Sequence, residues 1–217
     1  MGEKEKAKNI LKILNKIYPT TPIPLNHINN FTLLMSVLLS AQCTDLNVNN
    51  VTKDIYPQYN KPEHFVKLGR KKIEKLIKSI GIFRIKSKSV YFLSKQLIEK
   101  HDGKVPKSFE ELEKLPGVGH KTASVVMSQG FGFPAFPVDT HIHRLAQRWG
   151  LTNGKNVVQT ENDLKRIFPR NLWNKLHLQI IYYGREYCTA RNCYGIACKI
   201  CMSCYPDRKK LIKTKKA

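Results

Sequence analysis

Five of the six cysteines in this 217-residue sequence, Cys188, Cys193, Cys198, Cys201 and Cys204, crowd into one short stretch near the C-terminus, and only Cys43 stands apart. A segment so dense in thiols must fold around a shared centre. A disulfide framework would spread its bridges through the chain, and a reducing cytosol would not sustain it. One tight cluster therefore reads as a metal or iron–sulfur site. A [4Fe–4S] cluster and a four-thiolate zinc ion use the same side chains, so spacing alone leaves both open.

The charge balance names the partner class. Lysine plus arginine number 38 against 16 acidic residues, a net +22. Such a chain repels itself unless it meets a polyanion, which puts nucleic acid first. An anionic membrane fits less well, because the charge is spread along the chain rather than gathered on one amphipathic helix. The longest apolar stretch, Leu33 to Ala41, is too short to span a bilayer, and the opening MGEKEKAK has no apolar signal region. The expectation is a soluble, cytoplasmic, nucleoid-associated monomer with no membrane partner. With 41% apolar residues it can bury a core.

Apolar residues recur with helical spacing from end to end, and no run alternates with period two, so the fold class is all-α. Ala7, Ile10, Leu11, Leu14 and Ile17 line one face of a first helix, broken by Pro19, Pro22 and Pro24. Leu33 to Leu39 is apolar all round and reads as a buried helix. Further helices are expected at Val48 to Ile55, Pro62 to Leu68, Lys72 to Ser79 and Lys86 to Lys100. Ser108 with Glu111 three residues on is a capping-box signature for a short helix. Beyond it come His120 to Gln129, Thr140 to Trp149, Glu161 to Ile167 and Trp173 to Tyr187. The closing RKKLIKTKKA, with six basic residues in ten, reads as a frayed, solvated tail.

Two segments carry chemistry. In LPGVGHKTA, Leu115 to Ala123, Gly117 and Gly119 let the backbone turn tightly and approach a partner closely. The amides opening the next helix then form an anion site suited to a DNA phosphate. P-G-x-G alone would equally suit a plain helix–helix turn. Lys121 falls in the first turn of that helix, where the dipole and a partly closed cleft both push its pKa down. That makes it the amine able to attack a sugar carbon and form a Schiff base. Asp139, in PVDTHIHR, can cap the following helix. Near Lys121 its carboxylate could also accept the lysine proton and stabilise the cation that forms as a base departs. His141 and His143 read as structural or phosphate-facing, and Cys43 as a small buried residue.

These residues, together with LLSAQCTD (Leu38 to Asp45), VDTHIHR and GRE followed by Cys188, resemble the endonuclease III family of helix–hairpin–helix DNA glycosylases from about residue 5 to 206. The resemblance implies two helical domains with a cleft between them. One is a six-helix domain, 23–135, carrying the hairpin. The other comprises 1–22 plus 136–206 and ends in an iron–sulfur loop, with 207–217 as a basic tail. It implies a bifunctional glycosylase and abasic-site lyase acting on oxidised pyrimidines in duplex DNA, in base-excision repair. Lys121 falls on the family's nucleophile and Asp139 on its aspartate. Gln42 falls on the residue that fills the gap left by a flipped base, and Ile82 on an apolar wedge. Leu115, Gly117, Val118, Gly119 and His120 become DNA-binding. The family's C-x6-C-x2-C-x5-C register is broken because position 195 is Gly. Cys188, Cys198, Cys201 and Cys204 are the expected ligands of a [4Fe–4S] cluster, with Cys193 as competitor and Arg185, Arg191 and Lys199 flanking the loop. Two readings compete: a monofunctional glycosylase, which lacks the lysine, and a non-enzymatic DNA-binding module with a metal-stapled tail. A third, an electron-transfer protein using the cluster, fits the charge pattern poorly, since nothing in the sequence suggests a protein redox partner.

Overall fold

The computed structural model describes residues 1–217 and is helical throughout, without a β-strand, as the spacing predicts. No helix is long and apolar enough to cross a membrane. The chain forms two compact units, Ile23–Phe133 and Met1–Pro22 joined by Pro134–Ala217. Helix α1 (Glu3–Ile17) opens the chain and belongs to the second unit.

The unit 23–133 is organised around α2 (Asn30–Ser40), buried from Phe31 to Leu39. Asn29 and Thr32 start it with a reciprocal capping box, and Thr32 N–H donates to Asn29 Oδ1 at 2.9 Å. Its one buried hydroxyl past the cap, Ser36, meets Tyr56 Oη at 2.7 Å and donates to Asn26 O at 2.8 Å, so the core holds no stranded polar group there. Around it lie α3 (Asp45–Ile55), α4 (Pro62–Leu76) and α5 (Phe83–His101). Gly69, at φ 70°, breaks α4 where the sequence separates two helices. After α6 (Phe109–Glu113), α7 (His120–Val125) runs directly into a π-turn at Val126–Gly130. Only half of the box expected at α6 forms: Glu111 N–H donates to Ser108 Oγ, while the Glu111 carboxylate pairs with Lys114 at 2.7 Å.

In the other unit, Ala7, Ile10 and Leu14 of α1 pack with α8 (Thr140–Trp149), α9 (Val157–Ile167), α10 (Trp173–Glu186) and α11 (Lys199–Cys204). Helix α9 starts a turn before the expected Glu161, because Asn156 caps it by accepting from Gln159 N–H at 2.8 Å. The tail corrects an expectation. It is docked rather than frayed: Ile212 N–H donates to Tyr194 O at 2.8 Å, and Lys215 and Gln147 exchange two hydrogen bonds at 2.8 and 3.1 Å. Arg208 donates to Arg148 O and Gly195 O, and its guanidinium lies 3.4 Å from the Tyr205 ring centroid. Alternation places Ile212 and Thr214 inward and leaves the lysines out. Charge density suggested a solvated tail, but backbone pairing and two inward side chains outweigh it.

Candidate active site and metal centre

The hairpin between α6 and α7 is anchored from below. Leu115 and Val118 are buried, at 2% and 6% exposure, so any part they take in binding is through their backbone. Val118 N–H donates to Leu115 O at 3.0 Å and closes the turn. Gly117 sits at φ 80°, and a Cβ there would come within 2.8 Å of Ser89, so conformation and space both require glycine. Gly119 differs: its φ is −100°, and nothing lies within 4 Å of where a Cβ would stand. It starts α7 with no side-chain cap, which leaves the amide end of the helix bare. His120 Nδ1 lies 2.8 Å from Glu113 Oε1, and its ring stacks on Phe109, pinning the two helices across the turn. Lys121 is exposed at this helix start.

Gln42 and Ile82 are two of only four non-glycine residues with positive φ, at 54° and 52°. For a β-branched residue that is strained backbone, of the kind found at functional sites. Ile82 is also 46% exposed despite being apolar. The two loops touch, with the Cβ position of Gly81 3.3 Å from Gln42 O. Asn47 ties them further, donating to Ser79 O at 3.0 Å and to Cys43 Sγ at 3.2 Å. Cys43 is half-buried, against its expected full burial.

In the other unit, Asp139 caps α8 by accepting from Ile142 N–H at 2.8 Å. Beside it, His141 Nδ1 lies 3.3 Å from Arg144 Nη2, and burial, opposed by Asp139, holds its pKa below the usual histidine value. His143 is buried, with Nδ1 2.8 Å from Thr160 Oγ1, and serves the structure.

The cysteines converge as expected, with one exchange. The Sγ atoms of Cys188, Cys193, Cys198 and Cys201 all lie within 4.8 Å of one another, all buried and none in a disulfide. Cys193 stands in the group where Cys204 was expected. Tyr194 and Gly195, at φ 47° and 84°, form a tight turn closed by Ile196 N–H to Cys193 O at 3.0 Å, which folds Cys193 back until it accepts from Cys198 N–H. For Cys204, a turn further along α11, burial pushes the thiol up to about 11, with Lys6 and Arg208 opposing and Cys198 adding to the rise.

Within the group, proton sharing led by Cys188 holds Cys193 far below the usual thiol range and lifts Cys201 far above it. Four crowded buried thiols cannot all ionise alone, whereas a cation among them makes all four thiolates. The residues therefore fit a four-thiolate metal centre. A tetrahedral ion with bonds of about 2.3 Å needs sulfurs ~3.8 Å apart. Two of the pairs stand at 3.7 and 3.9 Å. Two features escaped the sequence reading. Arg148, 2% exposed, donates to Cys188 Sγ at 3.4 Å, Thr189 O at 2.7 Å and Ala190 O at 3.1 Å, and Arg144 donates to Gly184 O and Cys188 O. Their four-residue spacing on a helix with an apolar face was the available signal.

A helical protein with an uncapped hairpin and a terminal thiolate centre defines a class, and the comparisons agree with it. The family described as "HhH-GPD superfamily base excision DNA repair protein" matches residues 35–170. The chain is 41% identical over 214 residues to endonuclease III of Bacillus subtilis (95% of this chain, 98% of the relative). It is 41% identical over 189 residues to that of Escherichia coli K12 (86% and 89%). A solved structure of a trapped endonuclease III–DNA covalent intermediate superposes with a TM-score of 0.86 at 38% identity, over 94% of this chain and 99% of that one. A non-covalent endonuclease III–DNA complex gives 0.87 at 39% identity, over 92% and 94%. The chain belongs to the HhH-GPD superfamily and, within it, to the endonuclease III family.

Proposed function

We propose that this protein is a bifunctional DNA glycosylase and abasic-site lyase that removes oxidised pyrimidines from duplex DNA in base-excision repair, acting as a monomer on nucleoid DNA. The observation that carries the reading is Lys121, exposed at the start of a helix whose amide end is bare, in a chain of the endonuclease III family. The damaged base leaves the stack. Gln42 fills the gap and Ile82 wedges the neighbouring bases, while the backbone of Gly117, Val118 and Gly119 holds a phosphate and Leu115 anchors the turn. His120, tied to Glu113, keeps that turn in place.

The Lys121 amine attacks C1′, and the C1′–N bond breaks as the base departs with its electron pair. Asp139 takes the ammonium proton beforehand and passes it to the departing base, and the carboxylate so restored stabilises the positive sugar carbon. Opening of the sugar ring leaves an iminium between Lys121 and C1′. Loss of a C2′ proton then expels the 3′ phosphate.

Cys188, Cys193, Cys198 and Cys201 would hold a [4Fe–4S] cluster as a structural staple: the family resemblance supports the cluster, and the convergence of the four sulfurs supports this ligand set. When bound, the cluster supplies a cross-link that orders 188–204 and sets exposed Arg185, Arg191 and Lys199 beside the backbone of DNA. The 3.7 and 3.9 Å sulfur spacings favour a second reading, one zinc ion. Metal content decides: about four irons per chain with brown colour for the cluster, one zinc for the alternative.

Borohydride trapping on a thymine-glycol duplex tests the activity. The wild type forms a covalent adduct. Lys121→Gln forms none while binding lesion DNA within about tenfold, ~1.4 kcal/mol. Strand cleavage by that variant would remove Lys121 from the mechanism, and a wild type that binds without cleaving would be a DNA-binding module.

A further inference from the structure

Lys86 is buried to 3% exposure with no carboxylate hydrogen-bonded to it. Its Nζ donates to Leu39 O at 2.9 Å and to Ala41 O at 2.6 Å. These carbonyls belong to the C-terminal end of α2, where unpaired acceptors gather and the helix dipole favours a cation. The Ala41 carbonyl is half of the peptide bond into Gln42. Ile82 is the N-cap of the helix that carries Lys86: Lys86 N–H donates to Ile82 O at 3.1 Å, the first i→i−4 bond of α5, so the lysine stands one turn from that loop. The side chain thus ties the peptide entering Gln42 to the first turn of α5, whose cap is Ile82, and these two left-handed positions adjoin the contact between Gly81 and Gln42 O. Burying an ammonium is costly, and a plain helix end would be satisfied by water or a surface side chain. An interior cation with two carbonyl partners instead fixes the distance between two loops.

We infer that Lys86 is a positioning residue for strand invasion: it sets Gln42 and Ile82 at one spacing before DNA binds, so that gap filling and wedging occur together. The inference rests on the roles proposed for Gln42 and Ile82. A preset pair lowers the ordering cost of entering the stack, and misplacement of such a pair by an ångström can cost orders of magnitude in rate.

The readout is the ratio of two single-turnover rates: base removal from a thymine-glycol duplex, where the stack must be opened, against strand cleavage at an abasic site in single-stranded DNA, where it need not be. Lys86→Met keeps the stem and removes the donors, and its ratio should fall by about tenfold, together with those of Gln42→Ala and Ile82→Ala. A thermal melt establishes folding, and if Lys86→Met does not fold, Lys86→Gln is read by the same criterion. An unchanged ratio in the Lys86 variant, beside lowered ratios in the other two, overturns the inference and leaves the roles of Gln42 and Ile82 standing. Equal losses on both substrates overturn it in favour of a purely structural lysine. Unchanged ratios in Gln42→Ala and Ile82→Ala remove the roles it rests on, and the inference with them.

Discussion

Asp139 meets two demands with one side chain, and a single substitution separates them. Its Oδ1 caps α8, and asparagine caps about as well, so Asp139→Asn should leave the melting temperature nearly unchanged. Charge is another matter. If the carboxylate supports departure of the base, the variant should slow base removal by about 10²-fold, ~2.7 kcal/mol. Cleavage at a preformed abasic site should slow less, because no base has to leave there. Single-turnover rates on the two substrates check this, and near wild-type rates on both would reduce Asp139 to a cap. The cysteines give a second residue-scale expectation. Cys193→Ala should lose the metal centre, because Cys193 is one of the four converging thiols, while Cys204→Ala should keep both metal and colour. Metal analysis of the purified variants reads the outcome directly, and retention by Cys193→Ala would return Cys204 to the ligand set.

At the scale of elements, the two glycines of the hairpin look alike in sequence and differ in physics. Gly117 is left-handed and packed against Ser89, so Gly117→Ala should destabilise the fold by about 1–2 kcal/mol from conformation alone, and by more from the clash. Gly119 has an ordinary φ and open space around it, so Gly119→Ala should melt close to wild type yet bind duplex DNA more weakly, since the new methyl stands where a phosphate would approach. Urea unfolding and a binding titration on the two variants test this; equal stability losses would refute the distinction. What was legible in the sequence follows the same division. The buried α2, the capped starts of α6 and α8 and the hairpin itself are local patterns of spacing, caps and glycines, and they appear where the sequence puts them. Cys193 in place of Cys204, the grip of Lys86 on α2 and the burial of Arg148 were not legible, because each depends on a turn or a partner far along the chain. The start of α9 was missed for a smaller reason: its first turn pairs Val157, packed on the core, with an exposed Val158 and a buried but polar Thr160, so no apolar face stands out there.

For the whole molecule, the net +22 and the docked tail bear on each other. The C-terminal segment straps the metal loop: Ile212 holds Tyr194 O, Arg208 holds Gly195 O and Arg148 O, and Lys215 holds Gln147. Tyr194 and Gly195 form the turn that delivers Cys193, and Arg148 touches Cys188, so the strap braces the centre on two sides. Its exposed lysines, Lys209, Lys210, Lys213, Lys215 and Lys216, meanwhile add to the field that attracts DNA. Truncation after Pro206 should therefore do two separable things. A chelator should strip the metal faster, because opening of the 193–198 turn is no longer opposed. The slope of log binding constant against log salt should also shrink, by about 0.9 for each phosphate the tail neutralises. A truncated protein that keeps its metal as long as the full chain, but shows a smaller slope, would make the tail an electrostatic appendage. The hydrogen bonds argue for the opposite order of effects: they tie specific backbone atoms of the metal loop, whereas five lysines are a small part of the 38 basic residues that already draw the molecule to DNA.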